Sequence, residues 1–424
     1  MRRTTCFSRG GIHMKKYVAL LFAVAMMIFV VPTMEVKAAA PAAPKDAVQT
    51  VSIETGFRVQ WSPVAGATQY FYSFSADDKT YTAESPTGSG GKENFVNVVN
   101  ANIILPGTFY YVRVRSFNGA EYSPYVKVKV ATAPKAPKNM KQTAADSKSV
   151  TLSWDASVGA SGYLIRFGTT QAKAKDIQRI TTTSCKLTGL EPDSKYYVAI
   201  YPIKKVTNDF YASQNFVDNP KVVTTAGPVS GLKLYDWDVK SNVVMVQWDN
   251  SVKYENGYQL VLYNAAGKKL KTYNISGRRS SMKAFSTKYV KNTPFQYRIR
   301  SYTTLNGTKF YGEWSAYSYA VPQANVTAVK VSNTSVKLKW SKVAGAGSYT
   351  IYKATKDGGK FTKVASTKKT AYTVKSLKSY RDYYFLVKAN KVEMGGKSRK
   401  SNTLSTPNDI NVYIYKYQDE VCVD

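Results

Sequence analysis

Residues Trp340 to Lys353 read WSKVAGAGSYTIYK, directly after the alternating run Val336-Lys-Leu338-Lys. Close versions occur three times upstream: FRVQWSPVAGATQYFYSF from Phe57, VTLSWDASVGASGYLIRF from Val150 and VMVQWDNSVKYENGYQLVLY from Val244. The tryptophans Trp61, Trp154, Trp248 and Trp340 lie 93, 94 and 92 residues apart. A period that constant is a structural repeat, and about 90 residues matches a small independent domain rather than a solenoid unit.

Each copy carries the same local pattern. Apolar residues alternate up to the tryptophan, as in Phe57/Val59/Trp61 and Val336/Leu338/Trp340. A second alternating run starts at Tyr70, Tyr163, Tyr258 and Tyr349. A third run lies further on, at Tyr110-Tyr-Val112-Arg-Val114, Tyr196-Tyr-Val198-Ala-Ile200, Phe295-Gln-Tyr297-Arg-Ile299 and Tyr383-Tyr-Phe385-Leu-Val387. Period-two runs rich in β-branched and aromatic residues predict strands with one buried face. With turn signals between them and no amphipathic helix, they predict an all-β antiparallel sandwich in each copy.

Each repeat resembles a fibronectin type III domain. The resemblance rests on the proline-containing entry, the tryptophan on the second strand, the tyrosine about nine residues later, and Leu-x-Pro ahead of Tyr-x-Val-x-Val. LPGTFYYVRV (Leu105 to Val114) and LEPDSKYYVAI (Leu190 to Ile200) carry that last motif. The wording around Trp61 and Trp340, and YTTLNGTKFYGEWSAYS from Tyr302, resembles versions in secreted proteins of Gram-positive bacteria. The resemblance implies four tandem immunoglobulin-like, seven-stranded antiparallel sandwiches at residues 41–132, 133–225, 226–321 and 322–408, with a tail at 409–424. Trp61, Trp154, Trp248, Trp340, Tyr110, Tyr196, Phe295 and Tyr383 would be core residues. The resemblance also implies that the Tyr110, Tyr196 and Tyr383 hydroxyls bond back to nearby backbone. Phe295 cannot, and the turn after Trp248 is one residue longer.

The start of the chain reads as an export signal. MKKYVALLFAVAMMIFVVPTMEVKAAA (Met14 to Ala40) has a basic start, an apolar core and small residues at its end. Cleavage after Ala38 is expected, with residues 1–38 as the signal and Met14 as an alternative start. The run Tyr17 to Val31 is short for a membrane span, and the mature chain contains no other apolar enough. LPGTF at Leu105 mimics a sortase signal, but it lies inside the first repeat and reads as a turn. The expectation is a secreted protein, released or held on the cell wall without a covalent bond.

Composition narrows the chemistry. The only histidine, His13, precedes the mature chain. Histidine-dependent nucleophilic catalysis is therefore excluded, and the commonest zinc and copper ligand is missing. Cys185 alternates with Leu187 and reads as a buried small hydrophobe; Cys422 lies near the end. The remaining enzymatic route, paired carboxylates as in glycoside hydrolysis, has Asp77/Asp78 and Asp236/Asp238 as candidates. Solvated turns explain these better, and calcium at Asp236-Trp-Asp238 is equally disfavoured. No catalytic, metal or cofactor site is expected.

Charge is distributed unevenly. The chain has a net charge of +33. Residues 39–132 are near neutral at +1, followed by +6 for 133–225, +9 for 226–321 and +15 for 322–408, while 409–424 carry −3. A field concentrated at one end points to a polyanion at that end. The candidate partner is an anionic cell-wall polymer or acidic glycan, with Lys368, Lys369, Lys375, Lys378, Arg381, Lys397, Arg399 and Lys400 as contacts. A generic basic surface is the competing explanation. Specific nucleic-acid binding is disfavoured by the export signal and by the lack of a recognition motif.

The alternative reading is carbohydrate or protein recognition through exposed aromatics. Trp237 and Trp314, the two tryptophans outside the repeated position, are its candidates. In the tail, Ile410, Val412 and Ile414 alternate with polar residues and tyrosines. That strand either joins the fourth sandwich or stays an exposed edge. The leading expectation is a non-enzymatic extracellular adhesion or spacer protein.

Overall fold

A computed structural model describes residues 39–207, 211–238, 241–250, 252–291, 293–404 and 409–414. The export signal with His13 and Cys6, and Cys422 in the terminal segment, lie outside these residues.

The first repeat sets the pattern. Its strands are β1 (Lys45–Ile53), β2 (Gly56–Ser62), β3 (Gln69–Ser75), β4 (Ser85–Pro86), β5 (Phe95–Val99), β6 (Phe109–Phe117) and β7 (Val126–Ala131). They form two antiparallel sheets, β1-β2-β5 and β4-β3-β6-β7. In β6, Tyr110, Val112 and Val114 face the core while Tyr111, Arg113 and Arg115 face outward, as period-two alternation requires. The other repeats reproduce this order: a three-stranded sheet of their first, second and fifth strands packs against a four- or five-stranded sheet. Each has its own buried cluster centred on its tryptophan.

The repeated tryptophan and tyrosine pack edge-to-face in all four units, with ring centroids 5.4, 5.3, 5.3 and 5.5 Å apart. The tyrosine hydroxyl then ties down the turn between them, accepting from the backbone N–H of Val64, Ser157 and Val343 in units one, two and four. The longer third turn breaks the pattern: the Tyr258 hydroxyl donates instead to the Arg278 carbonyl at 3.0 Å.

The second tyrosine behaves as the resemblance implied. Tyr110, Tyr196 and Tyr383 accept from the N–H of Leu105, Glu191 and Lys378, each at 2.8 Å. Phe295 substitutes packing for this bond. Trp237 lies edge-on to it at 5.3 Å, with Phe285 and Tyr297 around them. This corrects the expectation that Trp237 is an exposed contact: it is 0% exposed. It lies on the strand Lys233–Asp238 opposite Val244, so its ring points into the sandwich.

The tail strand joins the fourth sandwich. Ile410–Ile414 pairs antiparallel with the strand Arg381–Asn390, Arg381 opposite Ile414 and Phe385 opposite Ile410. Ile414 is fully buried, and Ile410 and Val412 pack on the same core. The sandwich therefore extends past residue 408. Cys185 is buried beside Leu187, and burial pushes its thiol up to about 11.

Adjacent repeats touch. Gln214 and Asn215 bond Glu54 between the first and second units. Asp193 of the second accepts from the Lys253 and Tyr254 N–H groups of the third. Between the third and fourth, Asn402 bonds the Val321 backbone in both directions, and Leu404 packs into the third core.

Candidate anion-binding surface

The fold splits the eight predicted basic contacts of the fourth unit into two groups. Lys368 and Lys369 sit exposed in the turn between strands Thr362–Thr367 and Ala371–Val374. Trp340 N–H bonds the Thr370 carbonyl, which places this turn at the end of the sandwich facing the third unit. The hairpin of strands Val392–Met394 and Lys397–Arg399 lies at the same end and carries Lys397, Arg399 and Lys400. Lys375, Lys378 and Arg381 lie at the opposite end, where Leu377 N–H bonds the Thr334 carbonyl. A six-residue strand, about 20 Å long, separates the groups.

Lys375 and its neighbours lie off the strand Ala371–Val374. The strand stops at Val374, and residues 375–380 form the corner loop. Leu377 anchors this loop in the core, while Lys375 and Lys378 are exposed.

At the junction end the basic side chains line a cleft of about 460 Å³ bounded by Tyr319, Asn390, Lys391, Arg399, Lys400 and Asn402, among others. Arg399 organises it. Its guanidinium lies 3.2 Å from the Tyr319 ring centroid and donates from Nε to the Met394 carbonyl at 2.8 Å. Gly395 makes this possible: its φ is 60°, and a Cβ there would collide with the Tyr319 hydroxyl. Among the described residues no carboxylate lines the cleft. Glu393, exposed in the same hairpin, pairs across from Ser398.

Lys388 lies beside this group, its ammonium 3.3 Å from the Thr403 hydroxyl. Burial holds it below the usual lysine range, and the charge of Lys400 pushes in the same direction. The charge is costly to keep mainly because it is part-buried, and an incoming anion would offset that cost. Sequence reasoning found Lys397, Arg399 and Lys400 but missed Lys388, Lys391 and Tyr319. Lys388 was detectable as the outward residue after Val387; Tyr319 lies in an aromatic stretch of the previous unit, and nothing local ties it to this cleft.

Trp314 is half-buried on the outer face of the third unit, with Arg298 and Arg300 at 4.3 and 4.2 Å from its ring. Asp77 is not shaped for proton transfer. Its exposed carboxylate caps a turn, accepting from Thr80 and Lys79 N–H and the Ser75 hydroxyl, which hold it down at about 2. Asp78 bonds Tyr81 and Lys127. Asp238 accepts from Ser241, and Asp236 from the adjacent Trp237 N–H.

Residues 135–216 and 320–406 match the fibronectin type III domain family. The chain is 24% identical over 148 residues to tenascin from Gallus gallus, a match that takes in 34% of this chain and 8% of tenascin. Among solved structures, a two-domain fibronectin type III segment of chicken tenascin is 19% identical and covers 42% of this chain and 97% of the segment, with a TM-score of 0.24. The FN1–FN3 domains of chicken CNTN1 are 14% identical and cover 67% of this chain and 99% of theirs, with a TM-score of 0.20. The second and fourth units thus match the fibronectin type III family, and the first and third units repeat their strand order.

Proposed function

We propose that the chain is a non-enzymatic extracellular adhesion or spacer protein. It binds an anionic cell-wall polymer or acidic glycan through its basic C-terminal units and displays the first two. The observation that carries this reading is the junction cleft. Lys391, Arg399 and Lys400 converge there, beside the part-buried charge of Lys388, and among the described residues no carboxylate lines the cleft. An acidic polymer chain could run from this cleft over Lys368, Lys369 and Lys397, which are exposed at the same end. Secretion follows from the export signal, and a wall-associated location from the proposed ligand.

The test is co-sedimentation of the mature chain with the anionic polymer at low and high salt. Replacing Lys397, Arg399 and Lys400 together by Gln should weaken binding roughly tenfold, since each exposed charge contact contributes about 0.2–1 kcal/mol. Binding should fall steeply with ionic strength, as expected for exposed charges. Binding that resists both salt and the triple substitution would turn attention to the aromatic surface of the third unit.

A further inference from the structure

The first and third units carry the same device on the outer face of the same strand, and it is complete in only one of them. Arg113 and Arg115 of β6 stand opposite Ser73 and Phe71. Arg298 and Arg300, on the strand Phe295–Leu305, stand opposite Val261 and Gln259, the matching register positions. Aromatic rings brace both pairs. Arg115 packs on Tyr122 at 3.7 Å and Arg113 on Tyr125 at 4.5 Å. Arg300 packs on Tyr311 at 3.9 Å, and both Arg298 and Arg300 lie over Trp314.

The difference is the counter-charge. In the first unit Glu84, just ahead of the neighbouring edge strand β4, takes Arg115 in a two-pronged pair and also accepts from the Tyr125 hydroxyl. In the third unit that place belongs to Thr272, which faces Val261 on the edge strand Lys269–Ser276. The Thr272 hydroxyl is shielded from solvent and has no hydrogen-bond partner. Among the described residues Arg300 donates to the neutral Gln259 amide oxygen, at 2.8 and 3.0 Å, and Arg298 to the Tyr263 hydroxyl. Among the described residues no carboxylate pairs with either. Glu313, next to Trp314 in the chain, is taken by Ser147 of the second unit.

We propose that Arg298 and Arg300, braced by Trp314, form a carboxylate-binding site for an acidic peptide segment of a partner protein. The partner's Glu or Asp would sit where Glu84 sits in the first unit. Two guanidinium forks held rigidly by rings suit bidentate capture of a carboxylate and lose little freedom on binding. Burial, with a contribution from the Arg298 charge, already lowers the Arg300 pKa, so a matching anion removes a standing penalty. The site is separate from the lysines of the fourth unit and does not depend on the polymer-binding reading.

The experiment titrates the mature chain with hexa-L-glutamate and follows the indole N–H resonance of Trp314, identified by its loss in Trp314→Phe. Inorganic sulfate is titrated in parallel. The peptide should shift this resonance at concentrations where sulfate does not. Arg298→Gln with Arg300→Gln should weaken peptide binding by at least about tenfold. Thr272→Glu, which keeps both arginines, should supply the carboxylate in cis and block the site. Glu84→Gln should open a second, equivalent site in the first unit. The Lys397/Arg399/Lys400 triple variant should lose polymer binding and keep the peptide response. An equal response to sulfate would overturn the carboxylate assignment. A peptide response unchanged in the double-arginine variant or in Thr272→Glu would overturn the site.

Discussion

At the scale of single residues, one tryptophan per unit does what no neighbouring unit can do for it. Trp340 is buried among Val336, Leu338, Tyr349 and Val387 and shares no core with Trp248. Truncating such a side chain leaves a cavity that its neighbours fill only in part. Trp340→Ala should cost about 3–5 kcal/mol, a large share of the roughly 5–15 kcal/mol that holds a domain together. Calorimetry of the full chain should therefore show one transition shifted down or lost and the others in place. A uniform shift of every transition would mean that the units do not fold separately. Trp237 illustrates what a tryptophan outside the repeat can hide. Its place outside the repeated position suggested an exposed ring, yet it is fully buried edge-on to Phe295, which stands at the corner-tyrosine position.

At the scale of elements, strand alternation was legible and strand ownership was not. The alternation of Ile410, Val412 and Ile414 identified a strand, but not the edge it would pair with. That edge, Arg381–Phe385, is set by the closure of the second sheet, which local sequence does not encode. The same distinction explains the site. The lysines and Arg399 of the hairpin were readable as a charge run; their convergence with Lys391 and Tyr319 depends on how two units meet. The arginine pair of the third unit went unread because Arg-x-Arg within a strand looks like any solvated outer face until cross-strand register exposes the missing acid. Alternation in the last strand yields its own test. Ile414→Ala, fully buried, should destabilise the fourth unit by about 2–5 kcal/mol. Tyr413→Ala, exposed on the opposite face, should stay within about 0.5 kcal/mol. Equal effects in thermal melts would show that the strand is not docked in this register.

At the scale of the whole molecule, proline-containing linkers such as Ala131 to Lys138 predict a semi-rigid string of units, and the junctions supply specific contacts that a free linker would lack. The second and third units are joined by Asp193 with the Lys253 and Tyr254 N–H groups, by Ser147 with Glu313, and by Lys195 over the Tyr254 ring at 4.4 Å. Beneath them Glu255 is buried and accepts from the Ala226 N–H at 2.7 Å. Burial pushes its carboxyl up to about 7; the Ala226 bond opposes this, and the nearby charge of Asp193 reinforces it. An acid whose folded pKa is raised binds its proton more tightly in the native state than in the unfolded chain. Its stabilising contribution is therefore complete below about 4.5 and is lost as pH rises through about 7. The junction should loosen across that window. The third unit's melting temperature should fall with rising pH, at about 4–8 °C per kcal/mol for a domain of this size. Amide exchange at Ala226 should quicken over the same range. Glu255→Gln keeps an acceptor for the Ala226 N–H and removes the titration, so it should flatten both profiles. A wild-type profile that is already flat between pH 4.5 and 7 would show that the carboxyl reaches water and that the junction does not respond to pH.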